Sequence, residues 1–161
     1  DRHPIARHLP LMLEPGRFLV GPSGVLLSRV EYLKPHPSDG KSFAIVDAAM
    51  NDLVRPALYG SVMAIEAVKP DPEMAAKDWE IVGPVCETGD FLGHGRSLAL
   101  AQGDLIAVLG AGAYGLSMAS NYNTRGRAAE VLLDEQGATL IGARESVESL
   151  WALESIPPSL M

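Results

Sequence analysis

The glycine-rich stretch 110–115 has the spacing of a nucleotide-binding motif. It reads G-x-G-x-x-G, follows the apolar run 105–109, and precedes the acidic pair 134–135 by about 20 residues, as in proteins that bind a dinucleotide. Such a site needs a helix directly after the glycines, because the helix N-terminus binds the pyrophosphate. Residues 116–126 are rich in asparagine, threonine and glycine, which are poor helix formers. The sequence therefore predicts a glycine-rich turn between strands here, and no dinucleotide site.

Arg55 and Tyr59 are i, i+4 neighbours, which places them on one face of a helical turn. Pro56 fits the first turn of such a short helix, where its missing N–H costs no hydrogen bond. A guanidinium can bind a carboxylate through two parallel hydrogen bonds, and a neighbouring tyrosine hydroxyl can add another. The spacing alone is also typical of a solvated helix face, so both interpretations stay open.

Cys86 is the single cysteine, and it stands beside Glu87 in a stretch framed by Gly83, Pro84 and Gly89. These residues predict a tight, exposed turn rather than a buried strand. A thiol holds its proton at neutral pH yet releases it readily, so it can act as a proton donor. On residue type alone, a lone cysteine is more often a small buried apolar side chain.

The composition argues against several classes of function. The 161 residues carry a formal net charge of −7 and have no lysine- or arginine-rich run, which argues against nucleic-acid binding. The 4 histidines are scattered and the cysteine has no second cysteine to pair with, which argues against a metal site and a disulfide framework. No apolar run reaches the ~18 residues of a membrane span, and the first residues do not resemble a signal peptide. We therefore expect a soluble, cytoplasmic domain with no metal, membrane or nucleic-acid partner.

Short apolar runs separated by glycine and proline dominate the chain, and they predict strands. The predicted strands cover residues 11–13, 43–47, 61–68, 79–82, 105–109 and 130–133, with a hairpin partner at 137–142. Helices are predicted at 24–30 and, with Ser146 as the cap, at 147–153. Most strands follow one another with no helix between them, which argues against a regular βαβ array. The expected fold is mainly β with a few flanking helices (α+β), as an antiparallel barrel or sandwich.

Several segments, in the order in which they occur, resemble the C-terminal part of the diaminopimelate decarboxylase family, whose members use pyridoxal phosphate. They are residues 14–17 (Glu-Pro-Gly-Arg), 24–27, 47–60 and 83–90, the turn 110–115 with 118–123, and the start of a final helix at 143–145. The match extends from about residue 11 to residue 156. Thr88 stands where the family usually has serine, and it keeps the hydroxyl. The resemblance implies a Greek-key-like β barrel or sandwich, the C-terminal domain of the fold-type III decarboxylases.

The same resemblance implies a domain organisation. Residues 1–30 correspond to a remnant of the last strand of a (β/α)₈ barrel and the following helix, and residues 31–161 to the C-terminal β domain with its terminal helix. The family's N-terminal barrel is expected to be absent from this chain, because no lysine here lies in a segment like the family's cofactor-lysine motif. We therefore expect these residues alone to be inactive.

The resemblance also implies a site for pyridoxal 5′-phosphate. Glu14 is expected to pair with the ring nitrogen, Gly16 to let the backbone approach the phosphate, and Arg17 to bind the phosphate or a substrate carboxylate. Tyr114 resembles the tyrosine that reaches both the phosphate and the substrate. Taken without the family, residues 14–17 are typical of a surface turn and Tyr114 of a packed aromatic.

For the substrate, the resemblance implies that Arg55 and Tyr59 bind the distal carboxylate of diaminopimelate and that Glu87 binds its distal ammonium. Cys86 is expected to donate a proton to the carbon that has lost CO₂. In the family, the matching cysteine and glutamate come from the partner subunit. A homodimer with shared active sites is therefore implied.

The activity expected of the complete enzyme is the decarboxylation of meso-2,6-diaminopimelate to L-lysine and CO₂, a step of lysine biosynthesis. One alternative is another decarboxylase of the same fold type, specific for ornithine, arginine or carboxynorspermidine. Arg55 argues against the types that form diamines, because their substrates have no distal carboxylate. A second alternative, from a different class, is a β module without catalytic function that only dimerises.

Overall fold

A 6-stranded sheet dominates the computed structural model, which describes residues 10–38 and 40–160. Its strands are β1 (Val25–Lys34), β2 (Phe43–Val46), β3 (Ile65–Ala67), β4 (Lys77–Val82), β5 (Phe91–Leu98) and β6 (Leu105–Leu109). The order across the sheet is β3-β6-β1-β2-β4-β5, and only the β2–β4 pair is parallel. β1 pairs with β6 through residues 25–29 and with β2 from residue 30 onwards, with a register shift between Val30 and Tyr32. A long strand shared in this way lets the sheet bend.

The sheet curls until its two edge strands meet. Gly93 on β5 lies so close to β3 that a Cβ atom there would be 2.8 Å from Cδ1 of Ile65. The absence of a side chain at Gly93 thus lets Ile65 of β3 pack directly against β5. The result is a nearly closed barrel, and the expected mainly β fold class is confirmed.

Apolar side chains from all of these strands fill the interior of the barrel. The completely buried ones include Val30, Val46, Ile81, Leu92, Ile106 and Val108. The indole N–H of Trp79 donates to the carbonyl oxygen of Leu98 at 3.1 Å, so this large ring is buried without losing its hydrogen bond. Because every strand contributes to one core, the loops at the strand ends are attached to a rigid frame.

A 2-stranded sheet lies outside the barrel. It is the hairpin of β7 (Glu130–Asp134) and β8 (Gly137–Gly142), and every residue of β7 is exposed. The predicted strands at 130–133 and 137–142 and their hairpin connection are confirmed. A groove of about 600 Å³ separates this hairpin from the first residues of β1.

Helical structure is limited to short segments. α1 (Gly16–Val20) and α2 (Arg55–Tyr59) are helices of 5 residues each. Turns of 3₁₀ helix cover Gly21–Ser23, Leu116–Met118, Tyr122–Thr124, Glu148–Trp151 and Pro158–Leu160. No helix in the described part of the chain has both the length and the apolar character needed to cross a bilayer.

The strands predicted at 43–47, 79–82 and 105–109 are confirmed, but the helix predicted at 24–30 is wrong. Most of that segment belongs to β1, because β2 and β6 together offer hydrogen-bond partners along the whole strand. Residues 11–13 form no strand: their side chains are exposed, and they pair with no strand among the described residues.

Other element boundaries also differ from the sequence-based expectation. Only Ile65–Ala67 of the strand predicted at 61–68 is paired, and β5 is not predicted at all, because its glycines and polar residues interrupt the apolar alternation. The helix predicted at 147–153 is wrong, since only a 3₁₀ turn forms there, although Ser146 Oγ does accept a hydrogen bond from the backbone N–H of Ser149 at 3.2 Å. Residues 1–9, with two of the scattered histidines, lie outside the described residues.

Candidate functional site

Three of the residues predicted to bind ligands come together beside the barrel. α2 carries Arg55 and Tyr59 on one face, as their spacing predicts, and it ends at Gly60, whose φ of +60° is readily adopted by glycine. Cζ of Arg55 lies 5.2 Å from the ring centroid of Tyr59 and 5.5 Å from that of Tyr114. The guanidinium therefore contacts both aromatic rings within cation–π distance. We call these three residues the Arg55 cluster.

The Arg55 cluster has a hydrogen-bond donor without a protein acceptor. Nε of Arg55 is buried, and no described residue accepts a hydrogen bond from it. A buried donor without a partner is costly, and the cost is relieved when a ligand supplies an acceptor. The half-exposed hydroxyl-bearing rings of Tyr59 and Tyr114 leave the cluster accessible from solvent. It is therefore suited to binding a carboxylate or another small anion.

Tyr114 is presented by the glycine-rich turn 110–115. The backbone of Tyr114 itself is left-handed, with a φ of +60°, which is uncommon for a residue with a side chain. A Cβ atom at Gly112 would lie 2.8 Å from the backbone nitrogen of Gly24, and the N–H of Gly112 donates to the carbonyl of Gly21 at 3.1 Å. The glycine spacing thus serves a close approach between two segments of this chain. Only a 3₁₀ turn follows it, so the rejection of a dinucleotide site is consistent with the structure.

The motif 14–17 lies at the start of α1, and all its residues are exposed. The backbone N–H of Gly16 donates to the carbonyl of Glu14 at 2.8 Å, and no other atom lies within 4 Å of the position a Cβ of Gly16 would take. Among the described residues, the side chains of Glu14 and Arg17 form no hydrogen bond or ion pair. The structure therefore leaves these two charged side chains available to a ligand.

Residues 83–90, which we call the Cys86 turn, connect β4 to β5. Cys86 and Glu87 are both exposed, as the flanking glycines predict. The N–H of Glu87 donates to the carbonyl of Val85 at 2.8 Å, and the N–H of Asp90 donates to the carbonyl of Glu87 at 3.1 Å. The turn thus presents the thiol and the carboxylate side by side to solvent.

The buried side chain of Asp90 holds the Cys86 turn in place. It is 3% exposed, and its carboxylate accepts hydrogen bonds from the backbone N–H groups of Met50 at 2.7 Å and Val85 at 2.8 Å. Gly83 is required beside it, because a Cβ there would lie 2.7 Å from the carbonyl oxygen of Ala48. Burial raises the pKa of Asp90 above its ordinary range, and the hydrogen bonds from Met50 and Val85 only partly offset this. One side chain therefore joins the turn to the loop that leads into α2.

A second polar network, which is not predicted from the sequence, holds the same loop. Asn51 is 2% exposed, and its Oδ1 accepts a hydrogen bond from Nε of Arg125 at 2.9 Å. The guanidinium of Arg125 also donates to the carbonyl of Asp47 at 2.6 Å and forms an ion pair with Asp52 at 3.7 Å. The polar residues at 47–52 within an otherwise apolar region were a signal for such a network, but nothing in the sequence indicates that Arg125 is their partner.

Tyr122 is a further residue near the Cys86 turn, and no role is predicted for it from the sequence. Its hydroxyl donates a hydrogen bond to Oε2 of Glu87 at 3.3 Å. It lies in a 3₁₀ turn whose next two residues, Asn123 and Thr124, both have a φ of +57°. The only sequence signal is that it belongs to the family-like segment 118–123.

A buried carboxylate elsewhere in the barrel provides a contrast. Oε2 of Glu80 on β4 lies 2.5 Å from Nδ1 of His94, and its Oε1 lies 3.5 Å from Nζ of Lys41. Burial would raise the pKa of Glu80, but the hydrogen bond with His94 and the charge of Lys41 together outweigh burial and lower it. The Glu80 carboxylate is thus paired with the side chains of a lysine and a histidine, whereas the Asp90 carboxylate is paired with backbone N–H groups. No group of histidine, cysteine and acidic residues in the described part of the chain is arranged to hold a metal ion.

Comparison with known proteins gives these features a context. A family model described as the C-terminal sheet domain of pyridoxal-dependent decarboxylases matches residues 18–112. The diaminopimelate decarboxylase of Pseudomonas fluorescens is 59% identical over 152 residues, which are 94% of this chain and 36% of the relative. The chain therefore spans little more than a third of the length of the curated relatives it matches.

Solved structures agree with this match. The diaminopimelate decarboxylase of M. jannaschii, in co-complex with L-lysine, superposes with a TM-score of 0.86 at 40% identity, covering 92% of this chain and 33% of that one. The arginine decarboxylase of Paramecium bursaria Chlorella virus is similar in fold alone, with a TM-score of 0.61 at 22% identity, covering 68% of this chain and 30% of the viral one.

Proposed function

The chain belongs to the family of pyridoxal-dependent decarboxylases, and we propose that it is the C-terminal part of an enzyme that converts meso-2,6-diaminopimelate to L-lysine and CO₂. The observation that carries this proposal is the Arg55 cluster, with a buried guanidinium nitrogen that no described residue satisfies. Diaminopimelate has a carboxylate at its distal end, which suits this donor. The names of the relatives at 50–59% identity support the same substrate.

The chemistry of the exposed groups fits pyridoxal 5′-phosphate, the cofactor of the family. The guanidinium of Arg17 and the hydroxyl of Tyr114 are phosphate donors, and the open space beside Gly16 leaves room for a phosphate to approach the backbone. The carboxylate of Glu14 would pair with a protonated ring nitrogen. When bound, the cofactor supplies an electron sink for the charge left on carbon as CO₂ departs. We propose that the lysine that binds the cofactor covalently lies outside these 161 residues, in a (β/α)₈ barrel domain.

In this proposal, Arg55 and Tyr59 select the substrate by its far end. Arg55 would bind the distal carboxylate through its planar fork, and Tyr59 would add a hydroxyl donor. The guanidinium also lies over the ring of Tyr114 at cation–π distance, which limits the directions in which the fork can point. Ornithine and arginine have no distal carboxylate, so they would leave the buried Nε of Arg55 unsatisfied. The diamine-forming alternatives are disfavoured for this reason.

The Cys86 turn would complete the active site of a partner subunit in a homodimer. Cys86 would donate its proton to the carbon that has lost CO₂, and Glu87 would bind the distal ammonium of the substrate. Both side chains are exposed on a short turn anchored from beneath by Asp90, an arrangement that supports a role at a surface facing another subunit.

The test uses the full-length enzyme that contains this chain. Purified enzyme should release CO₂ and form L-lysine from meso-diaminopimelate, and it should use ornithine and arginine at least about 100-fold less efficiently. Cys86→Ala should lower kcat on the order of 100-fold while cofactor absorbance is retained. Efficient turnover of ornithine or arginine would contradict the assignment of Arg55 to a distal carboxylate.

A subunit-mixing experiment tests the shared site. Neither the Cys86→Ala enzyme nor an enzyme without the cofactor lysine should be active alone. After subunit exchange, each heterodimer should contain a single complete site, because the intact lysine of one chain meets the intact Cys86 of the other. A mixture that exchanges subunits, as native mass spectrometry can verify, and yet stays inactive would mean that Cys86 acts within its own chain or not at all.

A further inference from the structure

The turn that carries Tyr122 has an unusual backbone. Asn123 and Thr124 follow one another in the left-handed region, each with a φ of +57°. Asparagine tolerates this conformation, but threonine, whose Cβ is branched, rarely adopts it. Such a backbone persists only where its surroundings force it, and it often marks a site of function.

Side chains on both sides of the turn hold it in place. Nδ2 of Asn121 donates to the carbonyl of Arg125 at 3.0 Å and to Oε2 of Glu145 at 2.6 Å. Arg125, at the other end, is fixed by Asn51 and Asp47. The strained segment is thus attached to the loop before α2 and to the chain that follows the hairpin.

This turn places the hydroxyl of Tyr122 next to the carboxylate of Glu87. The hydroxyl donates to Oε2 at 3.3 Å, and Oε1 of the same carboxylate accepts the backbone N–H of Gly89 at 3.4 Å. Both oxygens of an exposed side chain therefore have a hydrogen-bond donor. The backbone of the Cys86 turn supplies one donor, and a residue 35 positions away supplies the other.

We propose that Tyr122 is a positioning residue that orients the Glu87 carboxylate for the distal ammonium of the substrate, an inference that rests on the proposed function. A free glutamate side chain loses rotamer freedom when it binds a ligand, and a side chain that is already oriented loses less. Tyr122 itself does not touch the substrate. Its removal should weaken substrate binding through Glu87 and leave the proton transfer from Cys86 unchanged.

The first test compares Tyr122→Phe with the unchanged full-length enzyme. The substitution keeps the ring and removes only the hydroxyl, so KM for meso-diaminopimelate should rise about threefold to tenfold while kcat stays within about twofold. The inhibition constant of 2-aminopimelate, which has the distal carboxylate but no distal ammonium, should not change. Tyr32→Phe is the matched control, because the hydroxyl of this exposed tyrosine on β1 forms no hydrogen bond with any described residue.

The second test is a double-mutant cycle with Glu87→Gln. In that background Tyr122→Phe should change KM by less than about 1.5-fold, because the group through which it acts has lost its charge. Multiplicative effects of the two substitutions, an unchanged KM in Tyr122→Phe, or an equal loss of affinity for 2-aminopimelate would each overturn the proposal. If the unchanged enzyme does not decarboxylate diaminopimelate, the proposed function fails and this inference fails with it. If that enzyme is active and KM does not respond, only the role of Tyr122 is wrong.

Discussion

The Arg55 cluster and the Cys86 turn differ in whether their buried polar groups have hydrogen-bond partners within the chain. Arg55 contacts two aromatic rings and leaves a buried donor without a protein acceptor. In the Cys86 turn the buried carboxylate of Asp90 accepts hydrogen bonds from two backbone N–H groups, and the exposed tip carries the free thiol of Cys86 and the Glu87 carboxylate, which Tyr122 orients. The Arg55 cluster therefore has a hydrogen-bond donor without a partner at the place where a ligand would bind. In the Cys86 turn, the buried polar groups beneath the exposed side chains already have their hydrogen-bond partners. Substitutions in the first should therefore change ligand binding, whereas substitutions at the base of the second should change folding.

The largest effect is expected for Asp90→Ala, which removes the anchor of the Cys86 turn. The backbone N–H groups of Met50 and Val85 would lose their acceptor while still largely buried. The free energy of unfolding should fall by about 3 kcal/mol, measured by urea unfolding of the chain. Asp78→Ala removes an exposed aspartate on β4 and is the control, with an expected change within about 0.5 kcal/mol. Equal effects of the two variants would show that Asp90 does not anchor the turn.

Arg55→Lys should have the opposite profile. Lysine keeps the charge but loses the planar fork and the contact with two rings, so kcat/KM of the full-length enzyme should fall about tenfold. Stability should change by no more than about 0.5 kcal/mol, since Nε has no described protein partner to lose. Arg144→Lys, at an exposed arginine without a described ion pair, is the matched control. A loss of stability without a loss of kcat/KM would mean that Arg55 is a structural residue.

Gly60→Ala should have a smaller effect and act on the end of α2. No other atom lies within 4 Å of the position the new Cβ would take, so the cost comes only from the φ of +60°. The free energy of unfolding should fall by about 1 kcal/mol, measured by urea unfolding. Gly89→Ala, where space is also open and φ is not positive, should have less effect. Equal losses in the two variants would point to steric contacts rather than backbone conformation.

The smallest effect concerns pH, and it compares Asp90 with Glu80. The pKa of Asp90 is raised in the folded state from its ordinary value of 3.8, so its contribution to stability is greatest below that pH and declines as pH rises to the folded pKa. The pKa of Glu80 is lowered from 4.5, so its contribution is present above that pH and is lost as pH falls through the folded pKa.

Unfolding measured as a function of pH tests this contrast. The stability gap between the unchanged chain and Asp90→Ala should narrow as pH rises from 3.8, while the gap to Glu80→Gln should widen as pH rises towards and past 4.5. Gaps that move in the same direction would contradict the different pairing of the two carboxylates.

Local patterns along the chain were enough to predict the fold class and the local character of the site. Alternating and continuous apolar runs predicted β2, β4, β6 and the hairpin of β7 and β8, because burial on a pleated strand imposes a period that is visible in the residues. The i, i+4 spacing of Arg55 and Tyr59 predicted their shared face on α2, and the glycines around Cys86 predicted an exposed turn. These are local properties, set by neighbours along the chain.

The contacts between residues far apart along the chain, by contrast, depend on how the strands pair and the loops pack. β5 exists because β4 offers it a partner, and residues 25–30 are extended because neighbouring strands satisfy their backbone groups. In the same way, Arg125 reaches Asn51 and Tyr122 reaches Glu87 across separations of 74 and 35 residues. Hydrogen bonds of this kind leave no periodic trace in the sequence, because their geometry depends on how the closed barrel brings its loops together.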